Sequence, residues 1–243
     1  MTTVNVIRAE WSKVWSLRST AWSLLATAVL SVAIGMGAVF FTHLQEGDDG
    51  SKTNASLTGF MIGQLAICVL GVLIATGEYT TGQIRVTLAA VPDRTRFLLA
   101  KAVVAATVAT SGGLVIGFAT FAAGQSLLGR HSASLSEPEV LRSLIGVGLY
   151  SGVLGVFSMA CGFLIRHSAG AISAVMGVLY IGPVVLFLLG EFGFAVAQWW
   201  PTGAGARIMD PNGENPWGGL GIFAGWTMVL LVAAWVKLRR SDA

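Results

Sequence analysis

Long stretches without a charged side chain constrain this sequence most. Windows free of Asp, Glu, Lys and Arg run over 19–45, 53–77, 102–129, 143–165, 167–190 and 215–236, each 22 residues or longer. A hydrocarbon core of about 30 Å is crossed by roughly 20 helical residues at about 1.5 Å rise. Every window is therefore long enough to cross. Strands fit poorly, because the runs lack polar/apolar alternation and exceed the length of a barrel strand. Only 11% of the residues are charged, against about 25% in an average soluble domain, too few to cover a water-facing surface. The sequence predicts an all-α polytopic membrane protein. Six helices are expected, near 20–42, 57–76, 102–124, 143–165, 171–190 and 218–236, in one transmembrane domain spanning 1–243.

The remaining apolar window, 192–206, is 15 residues long, and Pro201, Gly203 and Gly205 interrupt it. Trp199 and Trp200 suit the headgroup boundary, where an indole stays half wet. The expectation for 192–216 is an interfacial or re-entrant excursion, with an ordinary apolar loop as the alternative. Gly182 and Pro183 lie inside the fifth span, where a kink is expected.

Lysines and arginines set the orientation. With both termini cytoplasmic, the inner segments hold Arg8, Lys13, Arg18, Arg85, Arg94, Arg96, Lys101, Arg166, Lys237, Arg239 and Arg240, and the outer loops hold Lys52, Arg130, Arg142 and Arg207. Eleven against four is a positive-inside bias. Basic residues at both ends also require an even number of crossings. The first span reads as a retained helix, since its apolar run exceeds the roughly 7–15 residues of a signal-peptide core. A multi-pass membrane protein with both termini cytoplasmic is expected. The sequence pI near 9.1 reflects this sidedness and carries no expectation of nucleic-acid binding.

Two inner segments carry more information. In the first, 1–18, Val4, Ile7, Trp11, Val14 and Trp15 recur at spacings of three and four, so they share one helical face. Arg8, Glu10 and Lys13 fall elsewhere on that helix. A basic amphipathic helix bearing two tryptophans suits the inner leaflet of the bilayer. It serves either as a simple anchor or as an elbow that also touches a cytoplasmic partner. In the second segment, 77–101, Ile84, Leu88 and Val91 form a stripe on a helix of two or three turns, after Gly82 and before the helix-stopping Pro92. So short a helix is marginal in water, and its apolar face must rest on the span ends or on another protein. Arg85, Arg94, Arg96 and Lys101 gather there with Glu78, either as topology determinants or as contacts.

The run Glu78-Tyr79-x-x-Gly82-x-Ile84-Arg85-x-Thr87-Leu88, followed by Pro92-x-Arg94-x-Arg96 and Ala100-Lys101, resembles the ABC-2 type permeases, particularly actinobacterial drug and antibiotic exporters. Arg8-x-Glu10-x-x-Lys13, Arg18-Ser19 and Pro201-x-Gly203-x-Gly205 sit where that family carries similar residues. The resemblance implies a permease subunit of a bacterial plasma membrane that pairs with a second copy or a similar chain and is driven by separate cytoplasmic ATPases. The segment after span 2 would be a coupling helix seated in an ATPase cleft. Its expected contact residues are Glu78, Tyr79, Gly82, Ile84, Arg85, Leu88, Val91, Arg94, Arg96 and Lys101, with Arg8, Glu10, Trp11, Lys13 and Trp15 on the elbow helix.

The chain has no GxxxxGK[ST] phosphate loop, so ATP and Mg are expected on the partner ATPase and no cofactor or catalysis in this chain. It lacks HExxH and CxxC, and Cys68 and Cys161 fall within spans, where cysteine is usually inert packing. The spans also hold no Asp, Glu, Lys or Arg for an ion relay. A secondary carrier is thereby disfavoured, and an intramembrane hydrolase more so. A non-transporting anchor, regulatory or immunity subunit remains the alternative from another class. Spans so poor in charge suggest an amphipathic or lipophilic cargo entering from the bilayer.

Overall fold

The computed structural model describes residues 3–16, 18–44, 54, 56–128 and 135–240. Lys52, Arg130 and His131 lie outside it, as do the side chains of Val14, Trp15 and Arg18. Every regular element among the described residues is helical. In order they are α1 (Thr3–Ser16), α2 (Arg18–Leu44), α3 (Phe60–Thr80), α4 (Ile84–Ala90), α5 (Arg94–Leu128), α6 (Pro138–Ile165), α7 (Ser168–Met176), a π segment (Gly177–Ile181), α8 (Gly182–Leu188), α9 (Gly190–Ala197), α10 (Pro201–Ala206), a 3-10 turn (Arg207–Met209) and α11 (Pro216–Arg240). Helices are the expected outcome, since uninterrupted apolar chain must satisfy its own backbone donors and acceptors.

Among the described residues, five helices are long and apolar enough to cross a membrane: Ser56–Thr80, Arg94–Leu127, Pro138–Ile165, Ser168–Leu188 and Pro216–Arg240. Among described residues, α2 contributes a shorter apolar stretch, Thr27–Phe41. Most of these helices run past the bounds drawn from sequence, because a helix does not stop where its charges begin. At 35 residues, α5 is about 52 Å long, well beyond a hydrocarbon core of about 30 Å.

The centre of the bundle is α6, whose apolar window is 78% buried against 22% for the Ser168–Leu188 and Pro216–Arg240 helices. Glycines let its neighbours approach. A Cβ on Gly113 would lie 2.0 Å from the Ser151 hydroxyl, and one on Gly152 would lie 2.3 Å from that of Thr110. The two small-residue pairs of α5 and α6 thus face each other across one crossing. Gly221 and Gly225 of α11 face open space instead. On the other side of α6, the Phe223 ring lies 5.3 Å from Tyr150 and 5.6 Å from Phe157.

The charged residues collect at the ends of this bundle. One end gathers α1, the 78–101 segment, Arg166 and the last turn of α11. There Arg94 donates to the carbonyls of Leu238 and Arg239, and Lys237 donates to that of Leu164. Arg166 lies 5.4 Å from the Tyr79 ring centre. At the other end Arg142 donates to the carbonyls of Asp210 and Pro211, at 2.9 and 2.7 Å.

Residues 189–210 fold back on the chain. The turn at Leu189–Gly190, with Gly190 at φ +59°, reverses the path. Then α9 packs so closely on α8 that a Cβ on Gly193 would lie 1.7 Å from the Leu186 carbonyl oxygen. Phe187 and Phe194 meet edge to face at 6.1 Å. By Trp200 the chain has returned to the level of Val178, whose carbonyl accepts from the indole N–H at 2.9 Å. Ten residues of helix separate that level from Leu188, a depth of about 15 Å. Pro201 interrupts nothing; it stands at the first position of α10, where its missing N–H costs no bond. From there α10 climbs along α11, with Gly205 against Phe223.

Candidate functional site

The helix α1 meets the bundle through a face that counting apolar residues does not find. Val6, Glu10 and Lys13 lie at i, i+4 and i+7, so they share one side. Val6 and Glu10 are each 4% exposed. Ile7, on the flank, packs against Leu70, Val104 and Val108. Val4 and Trp11 of the expected apolar stripe are instead exposed, as is Arg8. Thus α1 has a lipid-suited face and a bundle face, and the bundle face is centred on an acid.

That acid closes a four-membered ring of charge. Lys101 Nζ donates to Glu10 Oε2 at 2.6 Å, to Glu78 Oε1 at 3.0 Å and to the Ile74 carbonyl at 3.1 Å, which uses all three ammonium protons. Its Nζ also lies 5.1 Å from the centre of the Phe97 ring. Lys13 Nζ donates to Glu10 Oε1 and Glu78 Oε1, each at 2.7 Å. Two carboxylates and two ammoniums alternate, so the ring is neutral and its burial is tolerable. Lys101 is 2% exposed and Glu78 5%, while Lys13 stays half in water. Burial by itself would lower the Lys13 pKa, but hydrogen bonds and charge from Glu10 and Glu78 hold it above the usual lysine value. The second oxygen of Glu78 has no hydrogen-bond partner. The ring joins α1, the end of α3 and the start of α5 into one unit.

Beyond Glu78 the chain turns outward. Gly82, at φ +69°, supplies the left-handed residue that frees α4 from α3. Pro92 ends the short helix, and Asp93 caps α5 by accepting from the N–H groups of Thr95 and Arg96 at 3.1 and 3.2 Å. The α4 stripe faces inward. Ile84 is buried, and Leu88 and Val91 pack with it on Phe97, Leu98, Phe163 and Leu238. The chain's own span ends therefore supply the surface that this short helix needs. Tyr79 is half-buried with its ring edge on Phe163. Arg94 satisfies two end carbonyls of α11.

The ten residues expected to contact a partner thus fall in different places. Glu78 and Lys101 are inside the charge ring, and Ile84, Leu88 and Val91 form the inner face of α4. Tyr79 and Arg94 brace neighbouring helices. Gly82, Arg85 and Arg96 are exposed. The outward face of α4 also carries Val86, 72% exposed, with Ala89 and Ala90. These three lie on the opposite side of the helix from the stripe, and a search for apolar periodicity passes over them. The signal that finds them is the pairing of Val86 with Ala89 and Ala90 at i+3 and i+4.

The exposed face of α4 is thus made of small apolar residues with Arg85 beside them. Among the described residues no cluster of His, Cys, Asp or Glu could hold a metal ion. His167 instead caps α7, its Nδ1 accepting from the Gly170 N–H at 3.3 Å. No family model and no curated protein matches this chain.

Proposed function

We propose that this chain is the permease subunit of an ABC-2 type exporter, moving an amphipathic or lipophilic substrate with energy from separate cytoplasmic ATPases. The observation that carries this reading is α4. It is fastened inward by Ile84, Leu88 and Val91, presents Arg85, Val86, Ala89 and Ala90 outward, and sits at the same end as α1 and the last turn of α11. In this reading α2 is the sixth crossing, both termini are cytoplasmic, and 189–210 re-enters the bilayer from the outer side. The subunit works as a pair, and ATP and Mg reside on the ATPases.

Closure of the ATPase pair would press on the outward face of α4. Because the charge ring joins α1, α3 and α5, that push would tilt all three together instead of bending α4 alone. The spans would then move as semi-rigid bodies toward an outward-open state. The stripe is thus the mount of α4, and the partner contact shifts to Val86 and its neighbours.

The test uses Arg85→Glu and Val86→Asp in the tagged full-length chain, with co-purification of the phosphate-loop ATPase from its native membrane. The proposal expects loss of the ATPase and of substrate-stimulated ATP hydrolysis in proteoliposomes. Retained association with full stimulation in both variants would overturn the contact. A non-transporting anchor is separated by substrate uptake into inverted vesicles, which it would not support.

A further inference from the structure

The fifth spanning helix is interrupted where its hydrogen bonding fails. In the π segment the Gly182 N–H donates to the Gly177 carbonyl, five residues back. The next carbonyl, that of Val178, would pair in the same register with the N–H of residue 183. Residue 183 is proline and has none. An orphaned carbonyl in apolar surroundings is costly, and here the donor comes from elsewhere in the chain. Trp200 Nε1 donates to Val178 O at 2.9 Å.

The approach depends on Gly182, since a Cβ there would lie 2.2 Å from Trp200 Cζ2. Below this point the helix is tied down: the Tyr180 hydroxyl donates to the Met61 carbonyl at 2.6 Å and accepts from Gln64 Nε2 at 3.2 Å. Above it, α8 and α9 are locked together at Gly193 and by Phe187 with Phe194. Beside the indole, a half-open apolar groove of about 200 Å³ is lined by Pro183, Phe194 and Gly203, among others, so the ring borders an open face.

We propose that residues 182–197 form a rigid helical lever hinged at the π segment, and that the Trp200 indole is the latch holding it closed. The latch substitutes for the N–H that Pro183 lacks. Releasing it leaves the Val178 carbonyl without a donor, so the segment has a closed state and a distinct open one. This device stands apart from the α4 docking face and does not depend on the transport reading.

The test is a double-mutant cycle on the full chain in lipid nanodiscs, read by hydrogen–deuterium exchange of peptides covering 178–200. Trp200→Phe keeps an aromatic ring and removes the donor; exchange there is expected to rise about tenfold. Pro183→Ala restores the N–H, so adding Trp200→Phe in that background is expected to change exchange less than twofold. Gly182→Ala, which displaces the ring by contact, is a second route to the open state and is expected to match Trp200→Phe. The proposal is overturned if Trp200→Phe exchanges as the parent does, or if its effect is undiminished beside Pro183→Ala.

Discussion

Two regions of the bundle are fastened by different chemistry. At the end that holds α1, four buried or half-buried ions join three helices in a closed ring. In the fifth span, a neutral hydrogen bond from Trp200 and a close glycine contact hold the hairpin to its own helix, while Arg207 and Trp226 donate to the carbonyls of Gln198 and Trp199. Ions buried together are costly to separate, because each partner left behind keeps its desolvation penalty. A single neutral bond is worth about 1 kcal/mol net. The end proposed to receive force is stiff, and the segment proposed to move is lightly held.

The largest effect is expected at Lys101. Lys101→Ala leaves Glu10 and Glu78 sharing only Lys13, and a loss of about 3–5 kcal/mol in stability is expected. A large drop in melting temperature in detergent would report it. Adding Glu78→Gln restores one carboxylate to one ammonium and is expected to recover part of that loss. A smaller effect belongs to the hairpin. Gly193→Ala forces α9 from the Leu186 carbonyl at an expected cost of about 1–3 kcal/mol. Increased amide exchange should appear over 186–200 with none over 78–101, and equal increases in both regions would contradict the separation. Lys13→Met is the mildest, about 1–2 kcal/mol, since it too leaves two buried carboxylates on one ammonium but water reaches the half-exposed site it vacates. Because the folded-state pKa of Lys13 is raised, its contribution is complete below the ordinary value of 10.5 and disappears as pH climbs through the raised one. The melting difference between parent and Lys13→Met should therefore stay constant from neutral pH to about 10 and shrink above it.

The spans were legible because hydrocarbon excludes unpaired charge, so gaps between ionisable residues mark them. The same rule misplaced their ends. Glu78 continues α3 and Lys101 lies within α5, because a charge with buried partners need not stop a helix. Pairing also hid the bundle face of α1, where Glu10 and Lys13 look solvent-facing until Glu78 and Lys101 arrive from 65 and 91 residues away. The stripe Ile84, Leu88 and Val91 was legible as a stripe, but not which surface it meets. The aromatic character of Trp199 and Trp200 placed the 192–206 window near an interface. The depth reached by Trp200 depends on Gly182, Pro183 and the register of a π turn, which no local pattern encodes.

Docking of an ATPase on α4 is read most directly by photo-crosslinking in the native membrane from a benzophenone amino acid at position 86, with position 115 on the exposed side of α5 as control. An adduct is expected from position 86 alone, with a polypeptide that carries a phosphate loop and takes up azido-ATP, as this docking requires. Adducts of position 86 with lipid only, or the same ATP-labelled adduct from both positions, would contradict it.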